Sequence, residues 1–295
     1  KKKDFMKIIL GINAYHADSS ACIIINGKLI AAIEEERINR KKHYSGYPIE
    51  SIKECLKISN LKENEITDIA FNTNPVSNIL PKSFFFIKNF NIKKNFFENK
   101  LKKFSIKNIL FKNFKLNKKV KIHYIEHHLS HIASAFFPSK FRKSNGLSID
   151  GSGDFVTLTI SECENNKIDI KKKIYFPNSL GIFYHAMTQY LGFKNYGDEY
   201  KLMGLAAYGT PIYFEKIKNN LFKEKNKNNF QLNLKYFKHQ KRDFKYIADE
   251  SLIIDNIYNS NLDNLFSEEI KINKDDSFKK NMAASVQKIY EYYFE

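Results

Sequence analysis

The dipeptide Asn26-Gly27 lies between two apolar runs, Cys22-Ile23-Ile24-Ile25 and Leu29-Ile30-Ala31-Ala32-Ile33. A two-residue hairpin loop needs positive φ at both central positions to match the twist of its strands, and Asn-Gly meets that need at little steric cost. The chain is thereby committed to an antiparallel pair over residues 21–33. Lys7 to Asn13 is a further apolar strand ahead of the pair, so three antiparallel strands open the fold. Pro48 then starts a helix whose stripe, Ile49, Ile52, Leu56 and Ile58, runs to Asn60. Short strands follow at Asp68 to Asn72 and Val120 to Ile125, and a helix over His127 to Phe137 is stopped by Pro138. Leu147 to Asp150 and Phe155 to Glu162 repeat the opening theme around a turn, Gly151-Ser152-Gly153, before a helix over Ser179 to Gly192. The expected class is α/β.

Composition removes several alternatives. With 295 residues, 43% hydrophobic and 15% aromatic, the chain can bury a sizeable core, which excludes a disordered tail, a fibre or a disulfide mini-protein. No apolar run approaches the ~20 residues that span a bilayer, so a membrane partner is not expected. Cys22, Cys55 and Cys163 are odd in number and widely spaced, which suits reduced core thiols in a cytoplasmic protein. Phe278, Met282, Val286, Ile289 and Tyr293 keep a helical period to the end of the chain with no stop signal. Residues 6–295 are therefore expected to be a truncated part of a longer protein, with Lys1 to Phe5 ahead of its natural start.

The net charge is +17, yet 45 of the 49 basic residues are Lys, and Asn, Ile and Phe are abundant as well, as AT-rich coding produces. Residues 76–120 hold twelve Lys against the single acid Glu98, together with nine Phe. This insert-like stretch can cover a core or grip an anion. Because most of the charge is concentrated there, +17 by itself gives no argument for nucleic acid as a partner.

The densest chemistry is Glu126-His127-His128-Leu129-Ser130-His131, where a strand passes into a helix. His127 and His131 are four apart and project from one helix face, so both can reach one metal ion at ~2.0–2.1 Å; without a metal they are half-buried histidines at a capped helix start. No Glu follows the first His, which disfavours a zinc protease. Asp150 ends an apolar strand before Gly151, placing a carboxylate beside bare backbone N–H groups; this suits a metal or phosphate, or an ordinary tight turn. His16, in the small polar loop Asn13 to Ala21, is either a proton acceptor for an attacking hydroxyl or a surface residue of a hairpin. Lys42-His43 follows the third strand, where a cation can meet an anion. Glu199 to Gly209 mixes charge with small residues and suggests a pocket-lining turn.

These segments, taken in order, resemble the amino-terminal part of the O-carbamoyltransferases that modify nodulation factors, antibiotics and other natural products. The resemblance rests on residues 11–21, 31–37 with Lys42-His43, 126–137, 150–154 and 199–209. It implies an actin-like, ribonuclease H-like fold with a mixed sheet and flanking helices. It also implies a divalent metal, iron or zinc, held by His127, His131 and Asp150, with His16 as the catalytic base and Lys42 as an anion-binding residue. A second lobe and a carboxy-terminal domain that makes carbamoyl-adenylate from carbamoyl phosphate and ATP, with magnesium, would lie beyond Glu295. The acceptor would be a small molecule carrying a hydroxyl. The threonylcarbamoyl transferases that act on tRNA share the fold and the His-x-x-x-His pair, but the double histidine and Glu-Tyr-Lys-Leu-Met-Gly-Leu point to the small-molecule branch. A third reading is a non-catalytic remnant that binds a partner through its Lys/Phe surface.

Overall fold

The computed structural model describes residues 6–88, 106–224, 229–241, 255–272 and 276–295. They fall into two compact units, the first holding residues 6–79 and 106–130 and the second 80–88 and 131 onward. Residues 89–105 of the Lys/Phe-rich stretch lie outside the described residues, as do Lys1 to Phe5.

The first unit is built on a five-stranded mixed sheet. β1 (Ile8–Asn13), β2 (Ser20–Ile25) and β3 (Lys28–Glu34) form the expected antiparallel meander. Asn26 and Gly27 both take positive φ, 47° and 83°, as the two-residue turn requires. β4 (Asp68–Phe71) pairs parallel with β1 on its other side, and β5 (Lys121–Tyr124) pairs parallel with β4, giving the order β3-β2-β1-β4-β5. An antiparallel meander extended by two parallel crossover strands, with flanking helices, is the ribonuclease H-like, actin-like sheet. Ile8, Leu10 and Ile12 alternate into the core from β1. α1 (Glu35–Asn39) and α2 (Ile49–Ile58) follow the meander, and α2 buries Ile52, Cys55 and Leu56 in the same core. From α4, described over residues 106–113, Ile106 and Leu110 join them, with Phe114 just beyond. At roughly 1.5–3 kcal/mol for each such side chain fully buried, this end of the basic stretch is an anchor of the core.

The second unit repeats the antiparallel theme with β6 (Lys143–Gly153), β7 (Val156–Glu164) and β8 (Lys167–Tyr175) in that order. Two sequence expectations change here. Gly151 to Gly153 belong to β6, with an irregular register, and the turn falls on Asp154 and Phe155, whose φ values are 49° and 75°. Glu199 to Ala206 forms a helix, α7, in place of a turn; Leu202 is fully buried and carries the segment into the core. α3 (Ile79–Lys88) brings Phe85 edge-on to Phe155 and Phe176, so the Phe of the basic stretch cover apolar surface in this unit as well. α6 (Leu180–Tyr190) buries Phe183 and Met187 against α8 (Phe214–Leu221) and α11 (Ser277–Phe294). The periodic residues Phe278, Met282, Val286, Ile289 and Tyr293 are all buried there. The three cysteines are free thiols, with Cys55 and Cys163 buried. Among the described residues no helix is long and apolar enough to cross a membrane.

Candidate functional site

The helix α5 (His127–Phe136) starts two residues after β5. Glu126 caps it: its Oε2 accepts the Leu129 N–H at 3.1 Å, and its carbonyl accepts the Ser130 N–H. That cap fixes where the first turn begins and hence where His127 points. Its Nδ1–H donates to the Asn72 carbonyl at 3.3 Å. A carbonyl can only accept, so the basic nitrogen of a neutral His127 is Nε2. A ligating histidine is oriented in this way, with the other ring nitrogen committed to a backbone oxygen.

In the first unit His16 lies against His127, ring centroids 4.9 Å apart. Nδ1 of His16 is 2.7 Å from the Ala17 carbonyl and donates to it, which again makes Nε2 the basic nitrogen. Tyr15 stacks edge-on against Tyr47. Burial, reinforced by Tyr15 and Tyr124, pushes the Tyr47 hydroxyl well above the ordinary tyrosine range, so it keeps its proton.

In the second unit α5 continues through His131, one turn beyond His127 and half exposed. Its Nε2 is 3.9 Å from Oδ2 of Asp150. That is too long for a hydrogen bond and close to the separation of two ligands on one ion, about 3–4 Å for metal bonds near 2.1 Å. Asp150 is held from behind. Gly151 N–H donates to its Oδ1 at 2.6 Å, and the buried Ser179 hydroxyl lies 3.1 Å from its carbonyl while also capping α6 through the Ile182 N–H. A Cβ on Gly181 would come within 2.8–2.9 Å of the Asp150 and Gly151 backbone, so only glycine lets α6 approach this closely. Imidazole and carboxylate donors of this kind fit a divalent transition metal. His128 is fully buried beside His127 and belongs to the packing.

Lys42 is exposed in a turn ahead of α2. Sequence reasoning missed how that turn is fixed. The three consecutive acids Glu34, Glu35 and Glu36 have separate roles. Glu34 pairs with Arg37 at 3.2 Å. Glu35, buried, accepts the Glu50 and Ser51 N–H groups and so caps α2. Glu36 accepts the backbone N–H of His43 at 2.8 Å. His43 in turn donates from Nδ1 to Asp18 at 2.9 Å. These residues stand inside the resembling segments, but the pairing between residues 18 and 43 leaves no local pattern to read.

The family described as Carbamoyltransferase N-terminus matches residues 8–294. The chain belongs to that family. It is 36% identical over 245 residues to the uncharacterized protein sll1178 of Synechocystis sp., covering 79% of this chain and 40% of that protein. It is 34% identical over 204 residues to Nodulation protein NolNO of Sinorhizobium fredii, covering 68% of this chain and 29% of that protein. The chain thus spans well under half of the relatives it matches. Among solved structures, YeaZ from Pseudomonas aeruginosa is similar with a TM-score of 0.32 and 9% identity over 59% of this chain and 68% of that one, too slight a likeness to carry an argument.

Proposed function

We propose that the full-length protein is a cytoplasmic O-carbamoyltransferase. It moves a carbamoyl group from carbamoyl-adenylate, made from carbamoyl phosphate and ATP, to a hydroxyl of a sugar-like or other natural-product acceptor. Family membership supports carbamoyl transfer, and the observation that carries the rest is the pairing of His16 with His127 at 4.9 Å, each with Nδ1 committed to a carbonyl. His127, His131 and Asp150 would hold iron or zinc, whose charge, when bound, offsets that of the adenylate phosphate.

His16 accepts the acceptor's hydroxyl proton at Nε2 as the oxygen bonds to the carbamoyl carbon; the bond from that carbon to the phosphate oxygen breaks and AMP leaves with the electron pair. Lys42, exposed on a turn that Glu36 fixes, steadies the anionic end of the donor. Asp150 is oriented by Ser179 and Gly181 behind it, so its carboxylate needs no reorganisation on binding.

The test incubates the full-length protein with ATP, carbamoyl phosphate and a panel of sugars, and measures AMP release and a carbamoylated product by mass. AMP and product are expected together; neither appearing with any acceptor overturns the reading. His16→Ala turning over at the normal rate would remove the base assignment. His127→Ala and His131→Ala should each lose bound metal by elemental analysis, and unchanged content would mean that other residues hold it.

A further inference from the structure

The loop carrying His16 and the turn carrying Lys42 are separated by more than twenty residues and by two strands and a helix, yet they are fastened to each other. Tyr15 N–H donates to the Gly46 carbonyl at 3.2 Å and Ser19 N–H to the Tyr44 carbonyl at 2.8 Å. The buried Ser19 hydroxyl also donates to the Gly46 carbonyl, at 2.6 Å. A Cβ on Gly46 would run into the outer end of the Tyr44 ring, so glycine lets that ring lie where the two segments meet. The side-chain link lies closest to both functional residues: Asp18, two residues after His16, accepts from Nδ1 of His43, the neighbour of Lys42. Glu36 holds the His43 backbone N–H from the far side.

Ligand-type atoms of Asp18, Glu36 and His43 all lie within 4.8 Å of one another, as in a cation site. Their hydrogen bonds favour a different role. His43 Nδ1 carries the proton given to Asp18 and so has no lone pair for an ion, and Glu36 Oε2 already accepts from a backbone donor. What remains is a strut between two loops. A charge-assisted hydrogen bond of this kind is directional, and an error of about 1 Å in the placement of a reacting group costs up to ~100-fold in rate.

We propose that Asp18 and His43, with Glu36 behind them, are positioning residues that hold His16 and Lys42 in register for transfer. The inference rests on the roles given to His16 and Lys42 above. Neither Asp18 nor His43 is asked to touch the substrate, so their loss should fall on turnover and leave acceptor binding alone.

The experiment uses the full-length protein with ATP, carbamoyl phosphate and an acceptor active in the panel described above. Asp18→Asn and His43→Ala should each lower kcat by roughly 10- to 100-fold, with the acceptor KM changed less than about 2-fold. The double variant should be no slower than the worse single one, because the two side chains form one link. His43→Gln keeps an N–H donor and should recover most of the rate; a merely structural role would lower melting temperature without this rescue. Single variants that keep the wild-type kcat, or a double variant whose loss is the product of the two, overturn the proposal while the transfer reading stands. A wild type that makes no product removes the transfer reading and this proposal with it.

Discussion

Glycine to alanine at two helical positions should change stability in opposite directions, for a reason visible in the backbone. Gly181 lies in the first turn of α6, and a Cβ there meets Gly151 N at 2.8 Å and the Asp150 carbonyl group at 2.9 Å. Ordinary carbon contacts begin near 3.4 Å, so helix and strand must part by about half an ångström, and backbone atoms cannot swing aside as a side chain tip can. Overpacking of this kind costs about 1–3 kcal/mol, against which alanine recovers about 0.5–1 kcal/mol of glycine's conformational entropy. Gly204, in the exposed middle of α7, has nothing within 4 Å of its Cβ position and an ordinary φ. There alanine should simply gain that ~0.5–1 kcal/mol. The two variants should then differ by about 2 kcal/mol, or roughly 4–8 °C in Tm at 2–4 °C per kcal/mol. Scanning calorimetry of Gly181→Ala and Gly204→Ala beside the wild type measures the gap and its sign. A Gly181→Ala protein that melts at or above wild type would show that α6 yields freely at its first turn, and the orientation of Asp150 by this approach would have to be abandoned.

Glu35→Ala should leave the Glu50 and Ser51 N–H groups unpaired at the start of α2 and destabilise the first unit by about 1–3 kcal/mol; denaturant unfolding gives the size, and unaltered amide exchange at Ser51 would argue against the cap. Burial pushes the His239 imidazole down to about 4 from 6.5, only partly opposed by its hydrogen bond to the Pro177 carbonyl. The unfolded chain therefore binds this proton first, and stability should fall as pH drops from about 6.5 to about 4, by roughly 3 kcal/mol in all, levelling off below. His239→Gln keeps a donor for Pro177 and should flatten that fall; equal pH slopes in urea for variant and wild type would contradict the buried neutral imidazole.

Several elements were legible because their cause is local. The hairpin follows from the φ preferences of Asn26 and Gly27, and α11 from apolar spacing that matches its own turn. The i, i+4 histidines of α5 needed only the helix. β8 was missed because lysines occupy its exposed face, although Ile168, Ile170 and Ile174 alternate beneath them. α7 was taken for a turn because Gly204 and its small neighbours hide a helix held by Leu202, whose burial is a property of the packed unit.

The first seven strands and the helices α2, α5, α6 and α11 were legible in the sequence alone, as were the candidate site residues, since dihedral preference and hydrophobic period act over a few residues. What only the tertiary structure decided were the meetings of distant segments: His16 with His127, Asp18 with His43, Glu35 with the start of α2, and α6 with the strand bearing Asp150. Each joins residues that no local period relates. A hydrogen bond or a glycine-sized gap between distant segments is specified by how the sheet and its helices pack, and that packing has to form before the pairing exists.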